Sequence, residues 1–401
     1  MKSKSDINSI NRLKWNIFIC LSLLSGLAFS PVHAADCTIT TRNAIGSVDV
    51  SVNTAAMNMT ISNDLPIGTV LYTYGENFAG MSPSHTFSCQ PTRDEVLAGI
   101  KAIQGTTTYR AVISNLPSGP AVSSGGKNIF PTNVPGIGVV IGLVDPLSTI
   151  KSSGQVITSF PYKNSVNFDN LTTLNVSYTG VYQIKIELVK TGYIPEGTQV
   201  VQGASFPSFQ FYVGFDSPIV DEKLSTTLIF SGNIIAYTKT CLLASSMIDV
   251  DLGKHWKSFF TGPGSVTEWK DFDITLKDCP PFYGQTHDSF GTSYLGNIDL
   301  VVDNKIMFNF NSINGVVAGN PQLAMIENSP NSAEGVAIEV SERNSGTSLN
   351  LDGSAPVALQ GLTTVDSASY TLPLKARYVQ YDSEVKEGKA DGALIFTISY
   401  Y

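Results

Sequence analysis

The cysteines are the residues of this sequence whose chemistry is easiest to read. Cys20 sits in an apolar N-terminal run, while Cys37, Cys89, Cys241 and Cys279 are spread through the rest. No two of them have the C-x-x-C spacing of a zinc site or redox motif. Their expected chemistry is disulfide formation, and hence an oxidising compartment. Four cysteines permit three pairings, of which the sequence-near pairs Cys37–Cys89 and Cys241–Cys279 are the simplest. Each would close a loop of about 40 to 50 residues and stabilise by roughly 4 kcal/mol in the loop-entropy picture.

Other reactive groupings are sparse. The histidines, His33, His85, His255 and His287, are scattered along the chain. Once a leader is removed, His85 stands alone in the first half, so no multi-histidine metal site is expected there, although carboxylates can hold calcium. No G-x-S-x-G, H-E-x-x-H or P-loop pattern occurs. No spacing singles out two carboxylates as a glycosidase pair. Catalytic residues, metals and cofactors are therefore not expected. Binding chemistry is better represented. YTYGENF places Tyr72, Tyr74, Glu76 and Asn77 in one short stretch, and SSGGKNIF places Lys127 and Asn128 on a loop. Aromatic faces beside carboxylate and amide groups suit sugar hydroxyls. The plainer reading of the same residues is strand-edge tyrosines and an ordinary turn.

These groups need elements to position them. Lys2, Lys4, Arg12 and Lys14 precede the apolar run WNIFICLSLLSGLAF, and Val32-His33-Ala34 then offers small residues for a peptidase. The run is shorter than the roughly 18 residues of a membrane span, so residues 1–34 read as a cleaved secretory signal. Removing it leaves 21 basic residues against 32 acidic ones. An acidic surface without a basic cluster argues against nucleic acid as a partner. Helical periodicity is confined to RDEVLAGIKAI, residues 93–103. Elsewhere short alternating runs recur between Gly, Pro, Asn and Ser, among them IGVVIGLV, FQFYVGF, KIMFNF and ALIFTISY. That pattern predicts an all-β chain of sandwiches or barrels. DSPIVDEKLSTT, with its proline and four charged residues, is the expected joint between two tandem β-sandwiches: residues 35–219, a linker at 220–226, and residues 227–401.

From Phe230 onward the chain resembles the pilin domain of chaperone–usher fimbriae. The resemblance rests on FSGNIIAYTKTC (230–241), VDLG (250–253), FDITLKDC (272–279), GVAIEV (335–340), ARYVQY (376–381), Gly388 and a final strand with a penultimate Tyr400. It implies an incomplete immunoglobulin-like sandwich lacking its last strand, with the C-terminal strand bordering a groove. A periplasmic chaperone would lend the missing strand during passage to an outer-membrane usher, and the next fimbrial subunit would then replace it, a case of β-augmentation. The groove residues implied are Gly388, Leu394, Phe396, Ile398, Tyr400 and Tyr401, the last through its carboxylate.

Ahead of Cys37 only Ala35 and Asp36 would remain after cleavage, and at about 3.3 Å per residue they are too short to fill a neighbour's groove. The resemblance thus points to a subunit that accepts a strand and donates none: a tip adhesin exported through the periplasm to the end of a fimbria. VKTGYIPEGT (189–198) and FPTNVPGIGVVI (130–141) resemble segments of fimbrial adhesin domains, which implies a host glycan or glycoprotein receptor for the first block. A non-binding adaptor subunit is the alternative, with a secreted β-sandwich hydrolase behind it.

Overall fold

Alternation of apolar and polar residues decides the architecture, because each strand must bury one face. The computed structural model describes residues 35–401 apart from 43–45, 53–57, 78–83, 100–102, 145–155, 172, 180–182 and 289–297. The expected leader lies outside the described residues. The chain is all-β, its described helices being Arg93–Leu97 and two single 3₁₀ turns.

The N-terminal body is built on two larger sheets. One runs in the order Tyr162–Leu171, Ile103–Asn115, Ser208–Ser217, Asp221–Ser231 and Ser47–Ser51, the last pair parallel. The other runs Val70–Asn77, Gln183–Lys190, Ile137–Val144, Lys127–Pro131 and Val122–Ser124. Between them, aromatic rings fill the interior, with Phe87 edge-on to Phe215 at 5.4 Å and Tyr109 stacked on Phe211 at 6.1 Å. Alternation then turns Arg110 outward, where its Nε donates to Glu222 at 3.0 Å and its guanidinium lies over the Tyr212 ring. Both expected disulfide pairs form. Cys37 and Cys89 face each other across the antiparallel strands Asp36–Arg42 and Ser84–Gln90.

The C-terminal body packs two sheets on a second core. One runs Leu242–Leu243, Lys270–Cys279, Ala368–Gln380, Val336–Glu342, Asn320–Met325 and Val316–Val317; the other runs Val357–Ala358, Ile306–Ser312 and Leu394–Tyr400.

One sequence expectation is corrected here. The helix expected over 93–103 stops at Leu97. Thr92 and Glu95 form a capping box at its start, but Gly99 takes a left-handed φ of 81° and Ile103 is already a buried strand residue. The expected linker at 220–226 falls almost wholly within the strand Asp221–Ser231. Asp221–Ser231 forms a hairpin with Ser208–Ser217, and Leu228, Phe230, Ile234 and Ala236 belong to the first core. The charged residues that looked like a solvated joint are cross-strand partners, as in Arg110–Glu222. The second core takes over at Cys241.

One titratable group is sealed inside the N-terminal body. His85 sits between Thr41 Oγ1, 3.2 Å from its Nδ1, and Ser225 Oγ, 2.6 Å from its Nε2. Burial lowers its pKa from 6.5 to about 4. The unfolded chain therefore binds a proton that the native one refuses as pH falls from 6.5 toward 4, and stability drains away across that window by up to about 3 kcal/mol. A His85→Gln variant should show a flatter loss of melting temperature between pH 7 and 4 than the wild type. Parallel profiles would remove His85 as the source.

Candidate functional site

The terminal strand Leu394–Tyr400 shows where the second core is open. Lys305 and Tyr401 exchange both backbone hydrogen bonds, at 2.8 Å each, and Ile313 N–H donates to Ala393 O at 3.0 Å. In an antiparallel ladder this phase directs the odd-numbered amides toward Ile306–Ser312. The amides of Leu394, Phe396, Ile398 and Tyr400 therefore point the other way. Their side chains pack against the second core yet remain only half-buried, whereas Phe308 and Phe310 on the neighbouring strand are fully buried. Among the described residues no strand lies beyond that edge.

Beside the edge runs a cleft of 1240 Å³. Phe272, Ile274, Phe310, Val340, Leu394 and Phe396 line it, so its floor is the core itself. The opposite wall is the irregular segment 246–257, which carries Trp256 with 85% of its surface exposed. The near end is formed by residues 385–393. Tyr378 donates its hydroxyl to Ala390 O at 2.9 Å and pins that segment. Burial, with Asp391 and Asp251 nearby, raises the Tyr378 pKa and keeps the phenol a donor. Gly388 lies flat on residues 331–333, where Ala333 N–H donates to Lys389 O at 2.7 Å and Lys389 N–H to Asn331 O at 2.8 Å.

The structure separates the residues expected at the groove. Gly388, Leu394 and Phe396 line the cleft. Ile398 packs against the core farther along. Tyr400 and Tyr401 instead border a small recess facing the N-terminal body, with Thr60, Ile61 and Ser62 on its other side. Tyr400 is held there: its hydroxyl is hydrogen-bonded to the Cys241 backbone, and burial raises its pKa. Tyr401 spends its backbone groups on Lys305, away from the open edge.

The residues expected to touch a sugar do not form one patch. Tyr72 is 2% exposed and serves the interior, while Tyr74 packs on the same core but is only partly buried. Glu76 and Asn77 lie in the strand Val70–Asn77, with side chains outside the described set. Lys127 and Asn128 sit in Lys127–Pro131, separated from that strand by two others. Lys127 Nζ donates to Glu187 at 2.9 Å, and Lys185 approaches the same carboxylate at 2.8 Å. Burial opposes the charge on Glu187, but the two lysines prevail and lower its pKa. Asn128 Oδ1 accepts from Phe160 N–H at 2.7 Å, a structural duty. Among the described residues no three His, Cys, Asp or Glu side chains converge as metal ligands.

The two bodies meet around Thr60. Its hydroxyl donates to Pro281 O and accepts from Tyr283 N–H at 3.2 Å, and its carbonyl accepts from Asn304 Nδ2 at 3.1 Å. Tyr237 stacks on Tyr283 at 5.6 Å. No residue type or spacing in the sequence announces these contacts.

Known proteins place this architecture. Residues 228–401 match the family model described as "Fimbrial protein", which begins within the strand Asp221–Ser231. A "Fimbria adhesin protein" of Klebsiella pneumoniae is 23% identical over 353 residues, covering 87% of this chain and 90% of that protein. A "Type-1 fimbrial protein subunit" of Serratia marcescens is 28% identical over 184 residues, covering 43% of this chain and 86% of that protein. The crystal structure of a tip adhesin from Pseudomonas aeruginosa aligns with a TM-score of 0.34 and 18% identity, over 92% of this chain and 95% of its own. Residues 228–401 are thus a fimbrial protein domain, and over most of its length the chain is similar to a fimbrial adhesin, a component of a surface pilus.

Proposed function

We propose that the C-terminal body is completed by a strand from another polypeptide, a periplasmic chaperone first and the next fimbrial subunit afterwards. The observation that carries this is the row of outward-pointing amides at Leu394, Phe396 and Ile398 beside an apolar cleft floored by the core. An added strand would pair with the amides and seat alternate side chains in the cleft, the two halves of β-augmentation. The N-terminal body then presents a host receptor site, a glycan surface, from the tip of the fibre. Two features favour the tip. The adhesin relative spans nearly the whole chain. Among the described residues, Ala35 is buried and Asp36–Arg42 is fully paired with Ser84–Gln90, so neither serves as a donor.

A synthetic peptide of alternating Val and Thr, about ten residues long, tests strand completion on the full mature chain. At about 100 times its Kd it should stabilise the C-terminal body by about 2.7 kcal/mol, which raises the midpoint by about 5 to 10 °C in a body of this size. An unchanged midpoint under saturating peptide would count against the reading. The peptide-completed protein is then applied to a glycan array. Selective binding supports the adhesin role, and no binding assigns the protein to the adaptor subunits.

A further inference from the structure

We infer that Asp64 of the N-terminal body caps the open edge of the terminal strand and sets the point at which a completing strand must stop. The inference rests on the strand-completion reading above and adds its limit. Of the outward-pointing amides, that of Tyr400 is directed at the other body, where it donates to Asp64 Oδ2 at 3.3 Å. Leu394, Phe396 and Ile398 have no such acceptor among the described residues.

Asp64 is held for this contact by its own turn. Its backbone N–H donates to Ser62 Oγ at 2.9 Å. The preceding Asn63 is clamped by two reciprocal bonds to Ile194, Nδ2 to the carbonyl and Oδ1 from the amide, both at 2.9 Å. Leu65 on the far side packs on the first core. The carboxylate is thus carried on a rigid corner, with the Thr60 contacts to Pro281, Tyr283 and Asn304 a few residues away.

A strand laid along the open edge would reach three free rungs and then meet a rung already taken by a charged acceptor. Occupying the fourth rung means displacing Asp64 from the joint. The completing strand therefore ends its pairing at Ile398, and the contact between the bodies survives completion. By linkage, a strand forced onto the fourth rung would loosen the joint, and a joint held shut would oppose that strand.

Residue-resolved hydrogen exchange on the full mature chain separates this from the reading it rests on. Three proteins are compared, wild type, Asp64→Ala and Asp64→Asn, each free and with the Val/Thr peptide. In the free wild type the Tyr400 amide should exchange about tenfold more slowly than that of Ile398; Asp64→Ala should abolish the difference, and Asp64→Asn, which keeps a side-chain acceptor, should restore part of it. The peptide should slow Leu394, Phe396 and Ile398 in the wild type and extend to Tyr400 only in Asp64→Ala. If Tyr400 exchanges as fast as Ile398 in the free wild type, or is unmoved by Asp64→Ala, the cap is refuted while strand completion stands. If the peptide protects none of the three rungs but Tyr400 still depends on Asp64, the cap stands and strand completion fails.

Discussion

Replacing Gly388 by alanine is expected to cost the C-terminal body about 3 kcal/mol or more, a large effect for a single methyl group. A Cβ built on Gly388 would lie 2.4 Å from the Ser332 carbonyl carbon, 2.5 Å from Ala333 N and 2.6 Å from Asn331 O. All three are backbone atoms, so no side chain can swing aside. The segment 386–389 must lift from 331–334, which breaks the bonds between Ala333 and Lys389 and between Lys389 and Asn331. That segment forms the near end of the cleft, so the lesion would distort the place where a completing strand begins. Gly361→Ala is the control. Gly361 has a φ of 77° but open space around its Cβ position, so it pays only left-handed strain, about 1 to 2 kcal/mol. Denaturant unfolding of both variants decides the matter: equal costs would mean that Gly388 is kept for conformation and not for close approach.

Gly388 was legible as a position in a motif, but its reason is not local in sequence. The same division runs through the whole fold. Strands such as Ile137–Val144 and Ile306–Ser312 were readable because burial of one or both faces leaves a pattern in neighbouring residues. The disulfides were readable because exported cysteines in even number seek partners. The region of the joint was only partly readable because Asp221, Glu222 and Lys223 have the composition of a linker, and only the register of three strands shows that Glu222 belongs to Arg110. The short helix was overextended because Val96 and Leu97 fit an apolar stripe, although the fold leaves both exposed.

The candidate site divides in the same way. Alternation alone puts Leu394, Phe396, Ile398 and Tyr400 on one face, and the structure keeps them there. It could not say which of the four meets the cleft and which meets the other body, because that depends on where residues 60–64 arrive. Tyr72 and Tyr74 show the opposite failure. Their spacing fixes that they share a face, but a tyrosine suits a core and a binding surface alike, and here the core takes Tyr72 whole and Tyr74 only in part. The contact from Tyr400 to Asp64 spans 336 positions of chain and leaves no trace in either local sequence.

Removing the two disulfides separately should produce nearly equal losses with different remedies. The bonds join residues 52 and 38 positions apart. The loop-entropy relation gives about 4 kcal/mol for each and a difference of only about 0.3 kcal/mol between them. Cys37→Ser/Cys89→Ser should weaken the N-terminal body, and Cys241→Ser/Cys279→Ser the C-terminal one. Cys241 has a second duty, since its backbone holds the Tyr400 hydroxyl at the foot of the terminal strand. That contact is made by the backbone, so the substitution to serine leaves its partner in place. The Val/Thr peptide then separates the bodies. Its binding energy accrues only to a folded C-terminal body, so at about 100 times its Kd it should return about 2.7 kcal/mol to Cys241→Ser/Cys279→Ser. The N-terminal body has no cleft of this kind among its described residues, so Cys37→Ser/Cys89→Ser should gain nothing there. Hydrogen exchange at Phe211 and Phe308, one in each core, reads the two bodies independently. Equal protection of both cores by the peptide would mean that the bodies unfold as one unit, and the Thr60 contacts would then carry more energy than a few hydrogen bonds suggest.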